Sequence, residues 1–501
     1  MRAKKTVYNS IANLLHQVVL AGAGLILPRL ILSQFGSEYY GLVASVFQFI
    51  GYTALLAAGV NGATVAALFK PLAESDTLKI SGITRATEAF MRKVALIFSV
   101  VLVIIALSYP LLVSDEFEWF FVFSFVLILG ISKFVTFFFG AAYRMVLDAD
   151  QRNYIHTAVM IGSVILNTSV ASALILAGSD IRIVYFVSAF IFAINPLFLY
   201  IYVRKHYKII RPIEPDKGAL EQRWDAFALQ VADFASLSAP VVILTVFTDI
   251  WEVSVFAVYY LVIRVIRLII VNFAGAAFWP MFGNMIAKNE FSSLRKGLLL
   301  FELTNHSLAT VLITCTAVLI VPFVSIFTLG VDDVNYYRPI FAVLACIAEF
   351  FNIARVPCQT VANAAGHFRQ TRNAAFIEVG ISITLSVVLV WQFGLIGVTI
   401  GMLCAMIFRS IIFTVYVSKH LVQRSMWVFV RRMLVSLLTG GVIFTIAQYL
   451  PEMAELTYLA WVLYALPVFV VAVLVTVLFT VLFYKEDARI LCGKVRGLIR
   501  R

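Results

Sequence analysis

The sequence predicts an all-α, polytopic membrane protein with about fourteen transmembrane helices, arranged as two six-helix lobes plus two C-terminal helices. Three observations predict it. Of 501 residues, 62% are hydrophobic and 13% charged, about half the ~25% charged share of soluble domains. The apolar residues gather in runs of the ~20 residues that cross a ~30 Å hydrocarbon core, too long for the ~10-residue alternating strands of a membrane barrel. The loops between the runs alternate in charge.

Taken in order, the apolar segments run roughly 7–32, 39–69, 94–113, 119–143, 154–177, 182–203, 226–248, 253–286, 299–329, 339–363, 374–392, 394–418, 428–450 and 457–484. The opening stretch MRAKKTVYNSIANLLHQVVLAGAGLILP has the basic start of a signal peptide. Its apolar run is too long and lacks an A-x-A site, so it reads as a retained first helix. Most of the 39 Lys and Arg fall in every second loop: Lys4 and Lys5, Lys70 to Lys93, Arg144 to Arg152, Arg204 to Arg223, Lys288 to Lys296, Arg369 to Arg372, Lys419 to Arg432, and the tail from Lys485. The intervening loops carry Glu38, Asp115, Glu116, Glu118, Asp249, Glu252, Asp332, Asp333, Glu452 and Glu455. By the positive-inside rule both termini are cytoplasmic, and the protein belongs in the cell membrane. The same pattern accounts for the net charge of +12, leaving no reason to invoke nucleic acid.

Two halves share soft landmarks. AAYRMVLDADQRNYI (141–155) and VANAAGHFRQTRNAAF (361–376) each place an Arg-Asn pair at the start of the next helix, Arg152–Asn153 and Arg372–Asn373. Val60–Asn61 matches Val271–Asn272, and Pro28 matches Pro240, all at offsets of roughly 211 to 220 positions. The reading is a first lobe at 1–210, a cytoplasmic linker at 211–223, a second lobe at 224–425, two further transmembrane helices at 426–484, and a basic cytoplasmic tail at 485–501. Parallel repeats about an axis normal to the membrane are a transporter plan with the site between halves. The last helix, 456–484, has no charge in LTYLAWVLYALPVFVVAVLVTVLFTVLFY and reads as lipid-facing.

Nine ionisable residues stand out inside apolar segments: Arg29, Lys133, Asp233, Arg264, Arg267, Glu349, Arg355, Glu378 and Arg409. Each costs about 2.5–3.5 kcal/mol at mid-membrane and needs a reason. Residues equidistant from a tight turn share a depth, since each helix rises ~1.5 Å per residue. That symmetry sets Glu378 level with Arg355 and with Arg409, the expected structural ion pairs. It also sets Asp233 level with Arg267; pairing and separate roles both stand there. Arg264 and Arg267 share a helix face by i,i+3 spacing. Arg29, Lys133, Arg264 and Arg267 are candidate ligands for an anionic substrate, since Arg forks and Lys point charges suit a diphosphate. Glu349 and Asp233 are candidates for ion coupling. His16 and His306 read as packing residues, and the five cysteines show neither a disulfide framework nor metal-ligand spacing. There is no Walker A sequence and no nucleophile–base constellation, so neither an enzyme nor a bound cofactor is expected.

The stretches PRLILSQFGSEYYGLV, AGVNGATVAALFKPLAE, AYRMVLDADQRNYI and NAAGHFRQTRNAAFIEVGISITLSVVLVWQFGLIGVTIG resemble the bacterial polysaccharide repeat-unit flippases of the multidrug/oligosaccharidyl-lipid/polysaccharide exporter superfamily. The resemblance runs through helices one to twelve. It implies a V-shaped, alternating-access transporter that moves undecaprenyl-diphosphate-linked oligosaccharide to the outer leaflet for surface or capsular polysaccharide. It further implies membrane lipids, and the polymerase and glycosyltransferases of the same pathway, as partners. In related peptidoglycan-precursor flippases the last two helices form a lipid-tail groove. The alternative is a cation-coupled multidrug antiporter of the same superfamily, which should carry membrane carboxylates in the first lobe; by this reading the first lobe has none. A third class, a membrane-embedded polymerase or glycosyltransferase, calls for a large outer loop, and the outer loops here are short.

Overall fold

The computed structural model describes the backbone of residues 2–57, 60–207, 209–210, 224–451, 453 and 455–485. The expected linker at 211–223 and all but the first residue of the basic tail lie outside the described residues, as does Glu452. Among the described residues sixteen α-helices follow one another: α1 (Arg2–Phe35), α2 (Ser37–Tyr52), α3 (Val60–Glu74), α4 (Thr77–Ser108), α5 (Trp119–Val135), α6 (Ala141–Ala149), α7 (Asn153–Leu176), α8 (Ile181–His206), α9 (Trp224–Phe247), α10 (Ile250–Ala287), α11 (Phe291–Phe327), α12 (Pro339–Ala354), α13 (Val356–Ala364), α14 (Phe368–His420), α15 (Trp427–Ala447) and α16 (Tyr458–Phe483). Among the described residues, 12 helical segments are long and apolar enough to cross a membrane. The difference from fourteen has two physical sources. The second expected span is divided into α2, a 3₁₀ turn at Thr53–Ala57 and α3, none of them long enough alone. The eleventh and twelfth are joined in α14, 53 residues long, with Gly394 at φ 52°, ψ −128° inside it.

Gly394 is a hairpin corner rather than a kink. Beyond it the chain runs back, so that Ser386 Oγ donates to the Val398 carbonyl at 3.1 Å. The two arms touch only because two further glycines lack a side chain. A Cβ on Gly397 would lie 2.3 Å from the Leu389 carbonyl oxygen, and one on Gly401 2.3 Å from Ser386 Oγ. Small residues let membrane helices approach to backbone contact.

The chain divides into two compact units, Met1–Ser254 and Val255–Arg501. In the first, α4 begins at Thr77, well before the expected residue 94, because Asp76 caps it by accepting a hydrogen bond from the Lys79 amide at 3.0 Å. A single π turn, Thr136–Gly140, separates α5 from α6, and Gly140 there faces Pro196 of α8 so closely that a Cβ would lie 2.4 Å from its Cβ. The DADQRNY motif is a latch. Asp150 receives Lys5 at 2.8 Å, Arg152 at 2.9 Å and the Tyr207 hydroxyl at 2.5 Å, while Asn9 accepts from the Tyr154 amide at 2.7 Å. Burial, and then the bond to Asp150, holds the Tyr207 phenol well above its ordinary range, so it stays a donor. The same unit contains α9, which lies along α2 through small and hydroxyl residues. Ser45 and Thr245 hydroxyls meet at 2.6 Å, and Ser238 donates to Gln48 at 3.1 Å; at the start of α10, a Cβ on Gly41 would sit 2.1 Å from the Ile250 carbonyl oxygen.

The second unit is built around α11, against which α12, α15 and α16 pack. Val311, Cys315 and Leu319 of α11 bury with Ile443 of α15 and with Val468 and Ala472 of α16. Trp461 of α16 adds a hydrogen bond from its indole N–H to the Leu319 carbonyl at 3.0 Å. Left-handed backbone recurs in both units: Ser75 with Asn289, Gln151 with Gly366, and Gly178 with Gly394, each pair roughly 215 positions apart, the signature of a repeated plan.

Substituting Gly397 with Ala should destabilise the protein by ~1–3 kcal/mol, the cost of overpacking, seen as a lower melting temperature in detergent. Gly380→Ala, a position with open space around it, is the matched control and should leave it unchanged.

Candidate functional site

Charge placement is the informative chemistry. In the second unit Glu378, 1% exposed, lies between two arginines. Arg355 Nη1 reaches its Oε1 at 3.3 Å, and Arg409, with no exposed surface, donates to its Oε2. Arg355 occupies the break between α12 and α13, which brings the two arms of α14 and the α12–α13 joint onto one carboxylate. Half a helix away, Glu349 is 2% exposed. Asn352 donates to its Oε1 at 2.8 Å, and Arg267 Nε lies 3.7 Å from the same oxygen. Depth symmetry set Asp233 against Arg267; the ion pair that Arg267 makes is with Glu349. Arg264, one turn earlier on α10, is exposed.

The first unit holds Arg29 on α1, partly buried, and Asp233 on α9, partly buried. Lys133 of α5 immediately precedes the π turn and packs its ammonium 5.5 Å from the centre of the Phe137 ring. It makes no ion pair among the described residues. Glu88 lies within α4, 7% exposed, and pairs with Arg92 at 2.6 Å. It sits in the charged turns that the Asp76–Thr77 cap adds ahead of the apolar run, α4 starting 17 residues earlier than hydropathy indicates.

A second cluster escaped the sequence reading. Glu302 of α11, 1% exposed, accepts two hydrogen bonds from Arg424, one of them at 2.6 Å, and a third from Arg432 at 3.0 Å. Arg432 also donates to the Leu299 carbonyl at 2.8 Å, and Cys358 of α13 touches Glu302 at 3.4 Å. Both arginines were counted with a solvated basic loop; Arg432 is 3% and Arg424 8% exposed. Together they lock α15 and the preceding loop to α11 and α13.

Two spaces accompany these charges. The first unit carries an open, mostly apolar pocket of about 460 Å³ among α1, α2, α5, α7 and α8, with Tyr40, Ser132, Asn167 and Ser188 on its wall. The second unit carries an apolar cavity of about 270 Å³ between α11, α12 and α15. It shares Ala317, Val343 and Phe444 with another of about 480 Å³ that extends to Met453 and Tyr464. The two form one furrow along α15. No cluster of His, Cys, Asp and Glu able to hold a metal occurs among the described residues.

No protein-family model and no curated protein matches the sequence. Solved structures do. The lipid II flippase MurJ in its inward closed conformation superposes with a TM-score of 0.69 at 14% identity, over 96% of this chain and 99% of that one. The chain has the fold of these transporters. An inward-facing multidrug resistance MATE family transporter of the MOP superfamily gives 0.62 at 14% identity, covering 81% of this chain and 94% of that one. The MATE multidrug transporter DinF-BH gives 0.57 at 15% identity, covering 82% and 94%. At these identities the likeness speaks for the fold, an all-helical membrane architecture common to flippase and antiporter.

Removing one partner of a buried ion pair costs ~3–5 kcal/mol, because the other is left uncompensated. Arg409→Met should therefore lower both protein yield and melting temperature sharply. The Glu378→Gln, Arg409→Met double variant should recover part of the loss. A single variant as stable as the parent would show that the contact does not hold the two arms of α14.

Proposed function

We propose that this protein is a flippase that moves undecaprenyl-diphosphate-linked oligosaccharide from the cytoplasmic to the outer leaflet of the cell membrane by alternating access. One observation carries the reading. Three glutamates within the spans, Glu302, Glu349 and Glu378, are each engaged by arginine, while Lys133 has no ion pair among the described residues. A cation-coupled antiporter uses an uncommitted carboxylate to carry its proton or sodium ion. An unpaired intramembrane cation instead suits a passenger that brings the negative charge.

In this reading Lys133, Arg29, Arg264 and Arg267 bind the diphosphate, Lys133 as a point charge and the arginines as forks. Arg267 divides its charge between Glu349 and the substrate, so Glu349 holds it in place before substrate arrives. The furrow along α15 supports the same reading, since it offers a polyprenyl tail an apolar path beside α16 while the polar head crosses elsewhere. The seam between α2 and α9 suits a device that must open. Its contacts include two hydroxyl and amide hydrogen bonds and the Tyr52–Phe234 ring contact, none of which needs a charge to be desolvated when it parts. The polymerase and glycosyltransferases of the same pathway are the expected partners.

The cation-coupled antiporter remains the competing reading, favoured by the open pocket of about 460 Å³ in the first unit and by the fold shared with MATE transporters. Proteoliposomes separate the two. Purified protein should move a lipid-diphosphate-linked oligosaccharide between leaflets. Lys133→Ala and Arg264→Ala should slow it at least ~10-fold, the equivalent of one lost charge-assisted contact, with membrane insertion unchanged. Transport at the parent rate in both variants would sink the assignment of these cations. Proton- or sodium-linked export of cationic dyes, with no lipid movement, would decide for the antiporter.

A further inference from the structure

We propose that His306, Thr310 and Thr476 build a binding site for a single water molecule that bridges α11 to α16. All three are nine-tenths buried or more, at 3%, 2% and 6% exposed. In each, a side-chain polar atom, His306 Nε2, Thr310 Oγ1 or Thr476 Oγ1, is enclosed without a hydrogen-bond partner. All three residues line one cavity, of about 20 Å³.

Each part of that description is unusual for a helix in lipid. A threonine within a helix ordinarily donates to the carbonyl four residues back, as Thr304, Thr316 and Thr439 do at 3.0, 2.7 and 2.7 Å. Thr310 and Thr476 do not, which leaves their hydroxyls for the cavity. The His306 ring is held between Phe350 and Phe429, with centroids 6.0 and 6.2 Å away, and its Nδ1 faces Ser436 Oγ at 3.5 Å. Nε2 is thereby left for a third party. Burying such groups dry costs ~1–3 kcal/mol apiece.

Size selects the occupant. About 10–15 Å³ of such space admits one water, which makes about three hydrogen bonds when buried. The cavity offers that volume and these three groups, with Ser436 and Tyr484 also on its wall. Arg432 also lines it, which disfavours a metal or ammonium ion, and no larger polar group fits. The position gives the site a task. Thr310 adjoins Val311, and Thr476 lies one turn beyond Ala472, so the water sits at the end of the apolar contact between α11 and α16. It adds a polar anchor to a helix that has no charge of its own. The apolar furrow shares Thr310 and Ser436 with this cavity, so a hydrated pocket also marks where the apolar path stops.

The test exploits a difference in sign. In the full-length protein in nanodiscs, Thr310→Val and Thr476→Val keep the side-chain shape and remove a hydroxyl. With the water bound, each should lower the melting temperature by ~2–4 °C, and the double variant should lose less than the two singles together, because one water serves both. A cryo-electron microscopy map should show a discrete peak within hydrogen-bond distance of all three atoms, lost in Thr476→Val and kept in Thr476→Ser. Were the cavity dry, removing an unsatisfied hydroxyl would leave the melting temperature unchanged or raise it. Either result, or a map without the peak, overturns the proposal.

Discussion

A guanidinium inside a bilayer must bring its counter-charge with it, and the second unit is arranged around that constraint. Arg409 has no exposed surface, so its charge is tolerable only because Glu378 is in contact. That contact in turn requires the α14 hairpin to close to backbone distance at Gly397 and Gly401. Arg355 joins from the α12–α13 break, and the same carboxylate then fixes three chain segments. A buried ion pair contributes little net energy against an apolar replacement. Its value here is register, since a helix slipped by one turn would strand a charge in lipid.

The Glu302 cluster applies the same logic to the last two helices. α15 carries Arg432 inward and the loop before it carries Arg424, and both end on one carboxylate of α11. α16 has no such charge and is held by Val468, Ala472 and the Trp461 indole. One added helix is thus pinned electrostatically and the other by packing. The furrow runs along α15 and reaches α16 at Tyr464.

How much of this was legible follows from what each signal measures. Hydropathy measures lipid contact, so it located the spans but read short wherever a helix continues into buried, polar company. α4 gained its first turns from the Asp76 cap, and Glu88 came with them. Likewise Glu302 fell at the margin of an apolar run and Arg432 inside a basic loop, so neither registered as intramembrane. Depth symmetry about a tight turn worked on different information, the helix rise alone, and it set Glu378 beside Arg409 across the α14 hairpin and beside Arg355 across the turn before α14. It gave no such guide for Arg267, whose contact is with Glu349 on α12, a helix that the residue-250 hairpin does not include. The DADQRNY motif was visible as a landmark, but its use as a latch for α1 needed Lys5 and Asn9, about 145 residues away in sequence and joined to it only by tertiary packing.

The two units also differ in how they treat charge. The second balances its buried arginines with glutamates, so it can persist without a ligand. The first keeps Lys133 against a phenylalanine ring beside a π turn, a local irregularity often found where function needs an adjustable helix. A cation held by an aromatic face is attracted by only ~0.5–2 kcal/mol, enough to orient the ammonium and far less than a diphosphate would supply. Such a residue is poised to exchange its partner, whereas Arg409 is not. The contrast between a paired Arg409 and a loosely held Lys133 is what an anionic passenger would need in order to be gripped and then released.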